Sequence, residues 1–309
     1  MEEFINVLKT KDLGMIKYNE PLSKYTTYKV GGNAKVVVFP KDILCLKELL
    51  KLIKEYRIEY KVIGNGSNLL FSSKEYDGII IILSNLNKIS INKNHLICES
   101  GASSIIAAMK ASNSGLSGLE FLTGIPGSIG GAVYMNAGAY GSDIRSVINS
   151  IKVLDNNLEI VTLTKDMLDF SYRKSILQDK DYICLEAIFD LKSTNKDIIL
   201  NKINEYKIKR RNSQPLEYPS AGSVFRNPIN NYAGKLIEET DLKGMKIGGA
   251  EVSMKHANFI INKDNATPAD LYNLINLVHR KVLEKHNIDL KIEQEFVNWY
   301  IHEFQICKY

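Results

Sequence analysis

Apolar positions along this chain follow two different periods. Between Ala34 and Ser100 short β-rich runs predict strands at residues 35–39, Tyr60–Ile63, 78–83 and His95–Glu99. Among them, Ile43, Leu46, Leu49, Leu50 and Ile53 recur at three- and four-residue spacing, which predicts a helix over residues 42–56 with Asp42 as its N-cap. A second helix is predicted over residues 103–112, leading into a glycine-rich stretch from Gly115 to Gly141. Strand patterns return at residues 147–154, 158–163 and 182–191. The polar run Lys192-Ser193-Thr194-Asn195-Lys196 then interrupts the pattern and marks the expected domain boundary. Beyond it, residues 197–212 read as a helix. Pro268–His286 reads as a long amphipathic helix with Thr267 as N-cap and Pro268 in its first turn. The mixture predicts an α+β protein without internal repeats.

At 309 residues, 45% hydrophobic and 24% charged, the chain has the length of about two domains. It can bury a core without disulfides or structural metals, which sets aside intrinsic disorder and stapled scaffolds. Lys and Arg number 40 against 35 Asp and Glu; a balance of +5 carries no strong nucleic-acid signature and leaves anionic small molecules open. The run Lys207-Ile208-Lys209-Arg210-Arg211 reads first as a solvated helix face, and alternatively as positive potential along a cleft.

Cys45, Cys98, Cys184 and Cys307 are widely spaced, which points to a reducing compartment. His95, His256, His279, His286 and His302 form no metal-binding pattern. Residues 1–15 lack the apolar core of a signal peptide, and the apolar run 79–83 is too short to span a bilayer. A cytoplasmic protein without membrane insertion is expected.

Two loops carry candidate chemistry. Gly64-Asn65-Gly66-Ser67-Asn68 follows a predicted strand, and its backbone N–H groups can turn toward an anion, although a plain tight turn explains the same residues. It lacks the third glycine of a dinucleotide fingerprint, and Leu69-Leu70-Phe71 after it resembles a strand rather than a helix. Thr123-Gly124-Ile125-Pro126-Gly127-Ser128-Ile129-Gly130-Gly131-Ala132 sets four glycines and a proline in apolar surroundings. Small side chains there admit a flat ligand or a pyrophosphate, and Ser128 could open a short helix toward phosphate. Close helix–sheet packing is the alternative.

Taken with Lys24-Tyr25-Thr26-Thr27-Tyr28-Lys29-Val30-Gly31-Gly32 and Asn136-Ala137-Gly138-Ala139-Tyr140-Gly141, these loops resemble the FAD-binding domain of the UDP-N-acetylenolpyruvoylglucosamine reductase family, a fold of the vanillyl-alcohol-oxidase type. Ser171-Tyr172-Arg173-Lys174-Ser175, Ser220-Ala221-Gly222-Ser223-Val224-Phe225-Arg226-Asn227-Pro228 and Ile292-Glu293-Gln294-Glu295-Phe296 extend the resemblance over nearly the whole chain. The segment from Ala250 to Phe259 is also family-like. The family commonly has Pro-Glu-Val-Arg near the last motif, where this chain has Gln294-Glu295-Phe296-Val297. The absence of a long insertion between Arg173 and Ser223 resembles the shorter, type II subclass.

The resemblance implies a segment 1–18, an FAD-binding domain of two subdomains over 19–192 and a substrate-binding domain over 193–309. It implies noncovalent FAD at the two glycine loops, NADPH as hydride donor and a UDP-sugar enolpyruvate as substrate. Arg173, Ser223 and Glu295 take the catalytic roles, with Glu293 an alternative on the same face if the segment is a strand. Arg173 would meet the charge that hydride addition creates, Ser223 would donate the proton, and a protonated Glu295 would donate a hydrogen bond. Tyr172, Arg226 and Asn227 are the implied substrate contacts. A different flavoprotein using oxygen, or a noncatalytic nucleotide-binding protein, are the competing readings.

Overall fold

The structure, a computed structural model, describes residues 1–299. Two compact units are woven from discontinuous segments. The first comprises Met1–Tyr18, Val36–Asn65 and Asp77–Arg210; the second comprises Asn19–Lys35, Gly66–Tyr76 and the described residues from Arg211 on.

The first unit has two cores. One forms on a four-stranded sheet ordered Gly14–Pro21, Asn33–Pro40, Tyr76–Ile82, Tyr60–Ile63. Helices α1 (Glu2–Lys9) and α2 (Ile43–Tyr56) contribute Phe4, Leu8, Leu46, Leu49 and Ile53 to this core, beside Val36, Val38, Ile79 and Ile81 of the strands. Helix α2 starts where expected, because the Asp42 carboxylate accepts the Cys45 N–H at 2.8 Å. The other core forms on a five-stranded antiparallel sheet ordered Ile160–Thr164, Ile148–Leu154, Ile183–Asp190, His95–Glu99, Ile89–Asn92. Helices α3 (Ser104–Asn113) and α4 (Ile129–Tyr134) pack against it, with Ala107, Ala108 and Ala111 keeping the approach of α3 close. A single turn of helix, α5 (Ile144–Val147), leads back into the sheet.

The boundary expected at 192/193 falls inside this first unit. Lys192–Ser193 pairs with Leu116–Ser117, and helix α6 (Lys196–Ser213) buries Ile199 and Ile203 while its Tyr206 packs on the second core. The division runs at 210/211 instead. The segments 19–35 and 66–76, expected in the FAD-binding domain, belong to the second unit because Tyr28, Val30 and Leu70 are buried with Phe225, Leu236 and Ile275.

The second unit holds helix α7 (Ala233–Glu239), a three-stranded antiparallel sheet of Lys246–Ile247, Ala250–Val252 and Ile260–Asn262, and helix α8 (Pro268–His286). A separate parallel pair joins Glu295–Val297 to Leu69–Phe71. Helix α8 begins at the expected Thr267, in a reciprocal capping box: Thr267 Oγ1 accepts from the Asp270 N–H at 3.1 Å, and the Asp270 carboxylate accepts from the Thr267 N–H at 2.8 Å. No helix among the described residues is long and apolar enough to cross a membrane.

Candidate active site

The loop 64–68 is bounded by the strand ending at Ile63 and, as expected, by a strand over Leu69–Phe71. Gly64 lies against Ser128 of the other glycine loop; a Cβ at Gly64 would stand 2.4 Å from the Ser128 hydroxyl. Gly66 has φ +61°, and a Cβ there would meet the Tyr25 carbonyl oxygen at 2.1 Å. Among the described residues, the N–H groups of Asn65, Gly66 and Ser67 donate to no protein acceptor. Asn68 anchors the far end: its side chain donates to the Glu293 carbonyl at 3.0 Å and its carbonyl accepts from the Glu295 N–H at 2.9 Å.

The loop 123–131 is held from behind. Thr123 donates to the Glu120 carbonyl at 2.7 Å, and Ser104 Oγ donates to the carbonyls of Ile125 and Gly127 at 2.7 and 3.0 Å. Ser128 opens helix α4 as expected, but the N–H groups that follow it are not left for a phosphate. The N–H groups of Ile129 and Gly130 are spent on the carbonyls of Ala102 and Ser100, at 2.9 and 2.7 Å, and that of Gly131 on Ser128 Oγ at 3.2 Å. Gly130 serves close packing, since a Cβ there would approach Ser100 Cβ to 3.0 Å. The N–H groups of Gly127 and Ser128 find no protein acceptor among the described residues, while Pro126 has none to offer.

The basic run on α6 divides. Lys207, Ile208, Lys209 and Arg211 are exposed as expected, but Arg210 turns inward, where one guanidinium nitrogen would lie 2.9 Å from a Cβ added to Gly124. Its Nε is buried without a hydrogen-bond partner among the described residues, and burial lowers the pKa of the group. One turn earlier, Tyr206 stacks on Tyr140 with centroids 4.1 Å apart, and the Tyr140 hydroxyl donates to the Tyr206 carbonyl at 3.1 Å. Within the first unit, the orphaned Arg210 nitrogen and the unpaired donors of Asn65, Gly127 and Ser128 suit a ligand that carries phosphates.

Tyr172 and Arg173 form the tip of a two-residue turn closed by mutual hydrogen bonds between Ser171 and Lys174, both at 3.1 Å. Arg173 has φ +58°, a conformation costing a non-glycine residue about 1–2 kcal/mol. Its guanidinium lies 5.3 Å from the centre of the Tyr172 ring. The turn is tied down by Asn136, which donates to the Ser171 carbonyl at 2.9 Å, and by Gln178, which donates to the carbonyls of Arg173 and Tyr134 at 3.0 and 2.8 Å.

In the second unit, the segments bearing Ser223 and Glu295 are neighbours. The Glu293 N–H donates to the Val224 carbonyl at 2.8 Å, and the Arg226 N–H to the Lys291 carbonyl at 2.8 Å. Asn258 clamps the residue after Val224: its side chain accepts from the Phe225 N–H at 3.0 Å and donates to the Phe225 carbonyl at 2.8 Å. Gln294 is buried, whereas Glu293 and Glu295 on either side are half-buried, so the two carboxylates share the less buried side. The Arg226 Nε is buried without a hydrogen-bond partner among the described residues. Asn227 has a structural task, accepting the Ala233 N–H at 3.1 Å where α7 begins. The roles of Arg210, Asn258, Gln294 and Tyr28 escape sequence reading, although Tyr28, Asn258 and Gln294 lie in family-like segments and Arg210 in the basic run, four positions after Tyr206 on the same helix face.

Burial pushes the thiols of Cys98 and Cys184 up to about 12, and no cluster of possible metal ligands occurs among the described residues. Cys307 and His302 lie outside them.

A family model described as UDP-N-acetylenolpyruvoylglucosamine reductase, C-terminal domain, matches residues 214–297, and one described as FAD binding domain matches residues 34–164. The UDP-N-acetylenolpyruvoylglucosamine reductase of Caldicellulosiruptor bescii is 47% identical over 297 residues, covering 96% of this chain and 94% of that protein. That of Bacillus subtilis is 42% identical over 299 residues, covering 96% and 99%. The crystal structure of the Thermus caldophilus enzyme superposes with a TM-score of 0.77 at 32% identity, covering 91% of this chain and 98% of that one. With likeness of this extent across both units, the chain belongs to the UDP-N-acetylenolpyruvoylglucosamine reductase family.

Proposed function

We propose that this chain reduces UDP-N-acetylenolpyruvoylglucosamine to UDP-N-acetylmuramate with NADPH, as a noncovalent FAD enzyme of cytoplasmic peptidoglycan precursor synthesis. The observation that carries the reading is the 47% identity over 96% of the chain, joined to Arg173, Ser223 and Glu295 standing in the family's order. The residues that would hold FAD are the donors of Asn65, Gly66, Ser67, Gly127 and Ser128, with the Arg210 guanidinium beside Gly124. Bound FAD supplies a two-electron carrier that takes hydride from NADPH and passes it to the methylene carbon of the enolpyruvyl group.

Hydride arriving there drives negative charge onto the adjacent carbon and its carboxylate. Arg173 meets that charge with a planar set of donors that stays cationic, and the fixed turn beneath it removes the need to reorganise during the reaction. Ser223 gives its hydroxyl proton to the enolic carbon and is reprotonated from solvent. Glu295 is the third member of the family's trio, carried on the strand beside the Ser223 segment. Tyr172 and Arg226 contact the substrate, the orphaned Arg226 Nε being suited to a diphosphate.

Anaerobic mixing tests the reading. NADPH should bleach the yellow protein, and the UDP-sugar enolpyruvate should restore the colour. With Ser223→Ala, bleaching should keep its normal rate while recovery slows by about 10²- to 10⁴-fold, the range for losing a positioned proton donor. Equal slowing of both steps, or of neither, removes Ser223 from that role.

A further inference from the structure

Behind Ser223 lies a buried polar relay confined to the second unit. The Tyr28 hydroxyl, fully buried, donates to Gln294 Oε1 at 3.1 Å, and Gln294 Nε2 donates to the carbonyls of Ala221 and Gly222 at 3.3 and 3.5 Å. The amide has one workable orientation. The Ala221 and Gly222 carbonyls can only accept, so the NH₂ must face them and the oxygen must face Tyr28. Burial raises the Tyr28 pKa, so the phenol remains a donor.

The relay ends on the turn before Ser223. Gly222 has φ +74° and a Cβ there would touch nothing within 4 Å among the described residues, so the turn has no side-chain packing at that position. Ser223 itself is bridged to Phe259, and from Val224 onward the chain is held by Asn258 and Glu293, while the Gln294 amide is the side chain that holds the Ala221 and Gly222 carbonyls. Gln294 stands where the family commonly has proline, which has no side-chain amide to offer.

We infer that Gln294, oriented by Tyr28, is a positioning residue for the proton donor: it fixes the Ala221–Gly222 carbonyls and thereby the direction of the Ser223 hydroxyl. The inference rests on the reading of Ser223 as proton donor.

Stopped-flow absorbance of the flavin-loaded full chain tests it. Gln294→Leu and Tyr28→Phe should leave bleaching by NADPH unchanged within about twofold. They should slow recovery with the enolpyruvyl substrate by about tenfold to a hundredfold, the scale of a misplaced reacting group, at little change in KM. Gln294→Glu supplies a readout that loss of fold would not produce. A carboxylate there would turn an oxygen toward the Ala221 carbonyl, whereas the protonated acid donates to it and still accepts from Tyr28, the one titratable group in hydrogen-bond contact with Gln294 among the described residues. Its recovery rate relative to wild type should therefore rise as pH falls from 8 toward 5. A flat ratio, or equal slowing of both steps in the variants that fold, overturns the inference. If Ser223→Ala separates the two steps but these variants do not, positioning alone fails; if Ser223→Ala does not separate them, both readings fall.

Discussion

Gly64 and Gly66 stand two positions apart and answer to different constraints. At Gly66 the obstacle to a side chain is the Tyr25 backbone, and φ is positive as well, so Gly66→Ala should cost more than about 1 kcal/mol and lower the melting temperature measurably. At Gly64 the obstacle is the hydroxyl of Ser128, which can rotate only by giving up its bond from the Gly131 N–H. Gly64→Ala should therefore cost about 1 kcal/mol, as for a lost helix cap, and bind FAD more weakly, read from its 450-nm absorbance after gel filtration. Arg210 invites the opposite pattern. Arg210→Met removes a half-buried cation whose Nε has no partner, so the apoprotein should be at least as stable while FAD titration shows lost affinity. A less stable apoprotein with unchanged affinity would make Arg210 a packing residue. Residue identity told much of this site through motif order, but not which way Arg210 points, because a helix periodicity assigns a face only when its neighbours are known.

Helices announced themselves through caps and spacing. Asp42 and Thr267 cap the helices expected of them, and Ser103 caps the helix expected over residues 103–112, since a cap is a local interaction whose partners lie within three residues. Thr267→Ala should lower stability by about 1 kcal/mol, measurable by urea unfolding. The Asp42 and Asp270 carboxyls also give the caps a pH dependence. Hydrogen bonding from Cys45 lowers the Asp42 pKa; at Asp270 burial acts in the opposite direction but is outweighed by the donors of Thr267 and Gly249. A lowered native pKa means stability that is complete above the ordinary value near 3.8 and lost as pH falls through the native one. The stability difference between wild type and Asp42→Ala should accordingly be steady from pH 7 to 5 and shrink below pH 4; a difference that persists to pH 2 would refute the role. The short strands of the second unit left no comparable signal, because Lys246–Ile247, Ala250–Val252 and Ile260–Asn262 are too brief to establish alternation. Helix α1 with its cap residue carries Met1, Phe4, Ile5 and Leu8 at helical spacing, but two turns are too short for that pattern alone to decide, and the stripe is fixed by Phe4 and Leu8 meeting a sheet.

At the scale of the whole molecule, the proposed chemistry has both NADPH and the enolpyruvyl substrate exchanging hydride with one flavin. Initial rates should give parallel double-reciprocal lines, with inhibition by excess of either reactant; intersecting lines without inhibition would point to separate sites. What the sequence could not reveal at this scale is the interleaving of the units. Segments 19–35 and 66–76 look like part of an amino-terminal domain by position, and only the burial of Tyr28, Val30 and Leu70 assigns them elsewhere. That interleaving has a bearing on biosynthesis. The chain changes unit at 18/19, 35/36, 65/66, 76/77 and 210/211, so a ribosome delivers apolar pieces of the second unit's core long before the rest. Tyr28 must wait for Gln294, 266 positions later, before its hydroxyl is satisfied. A nascent chain stalled after Arg210 would hold a nearly complete first unit and two segments whose inner stretches, 22–32 and 66–75, lack the rest of their core. Such a truncated chain is the form that chaperones should retain, and one that pulse proteolysis should cut first within 22–32 and 66–75.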